Sequence, residues 1–152
     1  RKYKIRDYLH KAARRIFDFV AEGGITTIVV GKNAGWKQEC DMRKKDTQNF
    51  IQIPHARFID MLSYKARERG IAFLTVEESY TSKCSFVDGE EMCHHEKYLG
   101  RRIKRGLFRT SMGILVNADL NGALNIIRKA IPNAFAEGIE AVIVPPLRAI
   151  VA

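Results

Sequence analysis

The 152-residue chain sets 26 Lys and Arg against 17 Asp and Glu, a formal charge of +9, with 46% hydrophobic and 28% charged residues. Mixed charge and a core-sized apolar share exclude a disordered polyelectrolyte, and no stretch approaches the roughly 20 consecutive apolar residues of a membrane span. The excess positive charge points to nucleic acid as partner, because Lys and Arg neutralise phosphates and release condensed counterions. Cys40, Cys84 and Cys93 are an odd and scattered set, which argues against a disulfide framework and for a reducing, cytoplasmic setting. No signal-peptide h-region follows the opening residues, so secretion is not expected, and because the chain opens on Arg1 and not Met, either it is an expressed segment or something upstream has been lost.

From Tyr3 to Val20, Ile5, Tyr8, Leu9, Ala12, Ile16, Phe17 and Val20 recur at three and four and predict an amphipathic helix ended by Gly23-Gly24. Ile25 to Val30 has the β-branched composition of a buried strand, and Gly31 to Gln38 follows as a polar loop. Pro54 suits the first turn of a second helix, with Phe58, Ile59, Met61, Leu62 and Ala66 on one face and Gly70 as its stop. Ile71 to Val76 is a second buried strand running into Glu77-Glu78. Strand, helix, strand at this spacing predicts a βαβ unit with parallel strands.

Residues 81–117 lack a long period. They hold a basic run, Lys97, Arg101, Arg102, Lys104, Arg105 and Arg109, unbroken by any acid and interleaved with Tyr98, Ile103, Leu107 and Phe108. A solvated face is the ordinary meaning of such a run. The aromatics and Gly100 and Gly106 favour an ordered basic loop or hairpin that holds nucleic-acid backbone, with a further hairpin near Phe108 to Val116. Helix resumes at Asp119, with Leu120, Ala123, Leu124, Ile127 and Ile131 on one face, and ends at Pro132; Ala141 to Val144 reads as a short extended piece.

Glu77 and Glu78 leave the end of a strand, where α/β proteins place functional groups and where an ionised carboxylate needs a partner or a metal. Solvated loop glutamates are the plain alternative. Asp119, at a helix start, is first of all a cap. Asn121 and Asn125, four apart, add polar groups on one helical face.

Two segments together resemble a known family. Thr81-Ser-Lys-Cys-Ser-Phe86 and Asn117-Ala-Asp-Leu-Asn-Gly-Ala-Leu-Asn-Ile126 look like the carboxyl half of TnpB or OrfB-type transposon-encoded proteins, RNA-guided DNA endonucleases related to compact type V CRISPR effectors. The resemblance implies an α/β, partial RNase H-like (RuvC-like) nuclease fold over residues 1–132, with an insertion at about 81–117 and an extension over 133–152. It implies guide RNA and DNA as partners and three carboxylates holding magnesium in the complete protein, since two-metal phosphodiester hydrolysis needs hard oxygen ligands. Asp119 is then the last triad member. The family's second carboxylate, at the end of the first strand here, is replaced by Gly31. Either the site is dead or a neighbouring strand supplies the group; strands lie about 4.8 Å apart, so Glu78 can reach, with Glu77 as the alternative. The family's first aspartate and its opening strands are absent from this sequence, so the isolated chain is expected to be inactive.

The same family often carries a zinc ribbon built on two C-x-x-C pairs. Here Cys84 is kept, Val87 stands where its partner would be, and Arg109-Thr-Ser-Met-Gly113 replaces the second pair. Cys84 and Cys93 with His94 and His95 have the wrong spacing for a ribbon, and zinc is not expected. A non-catalytic DNA- or RNA-binding remnant is the competing reading, supported by Gly31 and the broken ribbon.

Overall fold

The computed structural model describes residues 2–33, 54–136 and 138. Cys40, the polar loop beyond Asn33 and the extended piece expected at 141–144 lie outside the described residues. The described residues fall into two compact units, one running to Val30 and from Pro54 to Leu74, the other comprising Gly31–Asn33 and the residues from Thr75 onward. The observed class is mixed α/β.

In the first unit, α1 spans Lys2–Glu22 and α2 spans His55–Glu68. Their shared core is Leu9, Ala13, Phe17, Met61, Leu62 and Ala66, with Ile5, Ile16, Ile28, Phe58, Ile71 and Phe73 packed around it. Burying each large member contributes about 1.5–3 kcal/mol. The expected stripe on α1 shifts by a fraction of a turn: Ala13, fully buried, is the core alanine, whereas Tyr8 is 55% exposed and Ala12 only half-buried. Leu9, Ala13 and Phe17 lie four apart, and that row sets the face.

Both helices end the same way. Gly24 and Gly70 adopt φ of +60° and +66°. The Gly24 and Ile25 amides donate to the carbonyls of Ala21 (3.2 Å) and Val20 (2.9 Å), and those of Gly70 and Ile71 to Arg67 (3.2 Å) and Ala66 (3.0 Å). This paired closure needs a left-handed residue, which glycine supplies without a Cβ clash. It also consumes Ile25 and Ile71, so the strands start later than composition suggested: β1 is Thr27–Lys32 and β2 is Ala72–Glu77.

β1 and β2 form a two-stranded sheet. The Ala72 amide donates to the Thr26 carbonyl at 2.9 Å where both strands begin. Gly31 faces Glu78 where both end. Beginnings meet and ends meet, so the strands are parallel, as the βαβ spacing required. They are not the fully buried strands expected: β1 is half-buried up to its exposed end at Lys32, and in β2 only Phe73 and Val76 are half-buried, Leu74 being 39% exposed. Phe73 and Ile28 reach the helical core, whereas Leu74 is exposed.

The second unit contains β3 (Arg101–Lys104), β4 (Leu107–Arg109), β5 (Leu115–Asn117) and α3 (Ala118–Ala130). β3, β4 and β5 form an antiparallel sheet in that order. The hairpin expected near Phe108–Val116 is β4–β5. The basic run, expected as an ordered loop or hairpin, supplies a third strand: Arg101 pairs with Arg109, Arg102 with Phe108 and Lys104 with Leu107, with a register shift between Arg102 and Lys104. Gly106, at φ +76°, turns β3 into β4. Phe108 is 1% exposed, and its ring occupies the space a Gly100 side chain would need. On α3 the buried residues are Ala118, Asn121, Leu124 and Asn125. The expected apolar face is thus partly out of the core and the asparagine face is in it.

Candidate functional site

The two segments that carried the family resemblance bind each other. Asn121 and Asn125 are 2% and 0% exposed. The Asn121 side-chain oxygen accepts from the Phe86 amide at 2.9 Å, and its nitrogen donates to the Cys84 carbonyl at 2.9 Å. Asn125 donates to the carbonyls of Thr81 (2.9 Å) and Cys84 (2.8 Å) and accepts from Arg128 at 2.9 Å. Leaving such backbone groups unpaired in a core costs about 1–3 kcal/mol each, which explains asparagine on the buried face.

Asp119 stands in the first turn of α3 without capping it. Asn117 is the cap: its side-chain oxygen accepts from the amides of Asp119 (2.9 Å) and Leu120 (3.0 Å). The Asp119 carboxylate is thereby free of a structural duty within the helix. Its side chain is 83% exposed, with the Arg102 guanidinium 3.8 Å away.

The glutamates at the end of β2 differ sharply. Glu77 accepts from the Ser79 hydroxyl, from the Ser79 amide at 3.0 Å and from Lys129 Nζ at 3.1 Å. Ser79 and then Lys129 hold its carboxyl below the ordinary value. Glu78 forms no ion pair among the described residues. Burial, and then the charge of Glu77, push its carboxyl above the ordinary value. A Cβ on Gly31 would lie 2.5 Å from Glu78 Oε2, 3.1 Å from Glu78 Cβ and 2.9 Å from Ile126 Cδ1. The Glu78 carboxylate therefore sits where a side chain from β1 would project. Ile126 and Asp119 are seven apart and share one face of α3, about 10 Å apart along the axis.

Lys97 and Arg101 to Arg105 are exposed, with Arg109 half-buried. Of the six basic residues singled out in the sequence, Arg102 alone forms an ion pair among the described residues. The rest present uncompensated charge.

Neither metal implied by the resemblance finds a complete donor set, because no group of three or more His, Cys, Asp or Glu that could hold a metal ion occurs among the described residues. The Cys84 thiol is buried and donates to the Glu91 carbonyl at 3.3 Å, with the Cys93 carbonyl at 3.9 Å, and burial raises its pKa. Cys93 Sγ meets His95 Nε2 at 3.4 Å, and His94 packs edge-on against Tyr80. These donors do not fit a tetrahedral zinc site. No described helix is long and apolar enough to cross a membrane.

Sequence reasoning passed over Asp88, Glu90, Ser111, Arg128 and Lys129. The signal was available for the first three, which stand beside or within the stretches where ribbon cysteines are missing.

The chain is similar to proteins of the TnpB and Cas12f type. Residues 55–126 match the Cas12f1-like TNB domain. The chain is 27% identical over 130 residues to the TnpB-like protein ORF457 of Acidianus two-tailed virus, covering 86% of this chain and 26% of that protein. It is 29% identical over 139 residues to the CRISPR-associated endodeoxyribonuclease Cas12f2 of Micrarchaeota archaeon (strain CG1_02_47_40), covering 85% and 24%. The cryo-EM structure of a Cas12f1-sgRNA-target DNA complex shares its fold, with a TM-score of 0.56 at 22% identity, over 82% of this chain and 33% of that one. This chain spans about a quarter of the length of the curated relatives it matches.

Proposed function

We propose that this chain serves as part of a transposon-associated, RNA-guided DNA endonuclease with a RuvC-like, RNase H-like core, contributing Glu78 and Asp119 to its acidic site and the basic sheet to nucleic-acid backbone. In such a system guide pairing reads sequence while protein contacts read backbone shape, and the exposed cations from Lys97 to Arg109 suit that task. The setting is cytoplasmic and the cofactor of the complete protein is magnesium; the remaining ligands come from outside the described residues. The observation that carries the reading is the space at Gly31 filled by the Glu78 carboxylate: the acid missing from β1 has moved to β2. Among the described residues Glu78 has no cation partner, whereas Glu77 is engaged by Lys129 and Ser79. Cleavage assays on the full-length protein with Glu78→Ala and Asp119→Ala test it. Loss of cutting in both is expected, and undiminished cutting in either removes that residue from the site.

A second reading, a nucleic-acid-binding protein without cleavage, draws on the incomplete donor set. Binding that weakens steeply with salt, is indifferent to magnesium and never leads to cutting by the full-length protein favours it.

A further inference from the structure

The loops that a zinc ribbon would join through a metal are joined here through carboxylates. Asp88 follows Val87, the position of a missing ligand, and Ser111 lies in the stretch that replaces the second pair. Asp88 Oδ2 accepts from the Ser111 amide at 2.9 Å and Oδ1 from the Ser111 hydroxyl at 2.5 Å, across 23 residues. Burial pushes the Asp88 carboxyl up, and hydrogen bonds from Ser111 and Ser85 outweigh it, leaving the group below its ordinary value.

Glu90 makes the inner connection. It is 5% exposed, its Oε2 accepts from the Ser85 amide at 2.7 Å and its Oε1 from the Leu99 amide at 2.8 Å. Its carbonyl accepts from Arg128 at 2.6 Å, and Arg128 also donates to Asn125. A carboxylate removed from water is costly unless donors satisfy it, and charge-assisted hydrogen bonds are roughly twice as strong as neutral ones. Glu90 meets that condition. Leu99 precedes Arg101 by two residues, so the same carboxylate fixes the start of β3 and with it the basic run.

We propose that Asp88 and Glu90 replace a metal as the crosslink of residues 84–113, so that the basic sheet is held to α3 without zinc. The inference stands apart from any cleavage activity. Three of the four ribbon thiolates are absent, and in their place two acids grip amides and a hydroxyl, chemistry that needs no metal supply and is immune to thiol oxidation.

The test is amide hydrogen exchange on the full-length protein, with zinc quantified per chain. Zinc below one-tenth of stoichiometric is expected, with exchange at Ser85, Leu99 and Ser111 unchanged by a strong zinc chelator. Glu90→Gln leaves the shape but turns a donor toward one amide, and should speed exchange at Ser85 or Leu99 by about tenfold or more; Ser111→Ala, milder for folding, should speed exchange at residue 111 alone. One zinc per chain with chelator-accelerated exchange overturns the proposal. So does unchanged protection in Glu90→Gln.

Discussion

The Asn125 side chain donates to the Cys84 carbonyl at 2.8 Å, across 41 residues of sequence, with both residues fully buried. This bond joins the Thr81–Phe86 segment to α3, and so ties together the chain on either side of the basic sheet. Asn125→Leu keeps the volume approximately but strands the Thr81 carbonyl, and it leaves the Cys84 carbonyl with Asn121 alone and Arg128 with the Glu90 carbonyl. Stability should fall by about 1–3 kcal/mol, read as a lower denaturant midpoint at unchanged slope. Asn121→Leu, which also abandons the Phe86 amide, should cost a similar amount.

Gly31 is held at glycine by its neighbour, not by a left-handed backbone. Gly31→Ala places a methyl 2.5 Å from Glu78 Oε2 and 2.9 Å from Ile126 Cδ1. The Glu78 carboxylate must move, and misplacing a reacting group by about 1 Å can cost on the order of a hundredfold in rate. Cleavage by the full-length protein should drop to that extent while nucleic-acid affinity holds. The double variant Gly31→Glu with Glu78→Gly, which returns the acid to β1, should recover part of the loss.

Legibility of the sequence was uneven, for physical reasons. Helical period and glycine stops located α1 and α2, and the βαβ order gave the parallel pair. Burial of the strands was misread because β-branched composition reports what a strand could cover, whereas β1 is only half-buried and most of β2 is exposed. The asparagine face of α3 was misread for a deeper reason: hydrophobic patterning assigns polar residues to solvent, but Asn121 and Asn125 are buried to serve carbonyls in a loop that has no ladder of its own. That Glu78 lies within reach of the Gly31 position was legible from the spacing of adjacent strands. That Glu77 is occupied depends on Lys129, 52 residues on, and no spacing rule foretells that contact.

Glu78 carries a stability cost that function would explain. Its folded-state pKa lies above the ordinary 4.5, through burial and then Glu77. A raised carboxyl pKa stabilises the fold below the ordinary value, and that contribution is lost as pH rises through the folded one. Glu78→Gln, which cannot ionise, should match wild type in melting temperature near pH 4 and exceed it slightly near pH 7. A lower melting temperature at pH 7 contradicts this sign.

The basic sheet should act through charge. Replacing Arg101 or Lys104 by Ala is expected to weaken DNA or RNA binding across sequences alike and to reduce the slope of log affinity against log salt by about 0.9 per lost phosphate contact on duplex DNA. Because both side chains are exposed, melting temperature should stay within experimental error. Arg102, which shares charge with Asp119, should give a smaller affinity loss.

The proposed role of Glu78 is tested most directly by guided cleavage with the full-length protein carrying Glu78→Gln or Glu77→Gln, single-turnover rates being measured at saturating magnesium. Glu78→Gln should fall by a thousandfold or more, about 4 kcal/mol of transition-state stabilisation, while Glu77→Gln stays within about tenfold of wild type. Equal rates for Glu78→Gln and wild type, or a collapse confined to Glu77→Gln, would contradict the assignment of Glu78.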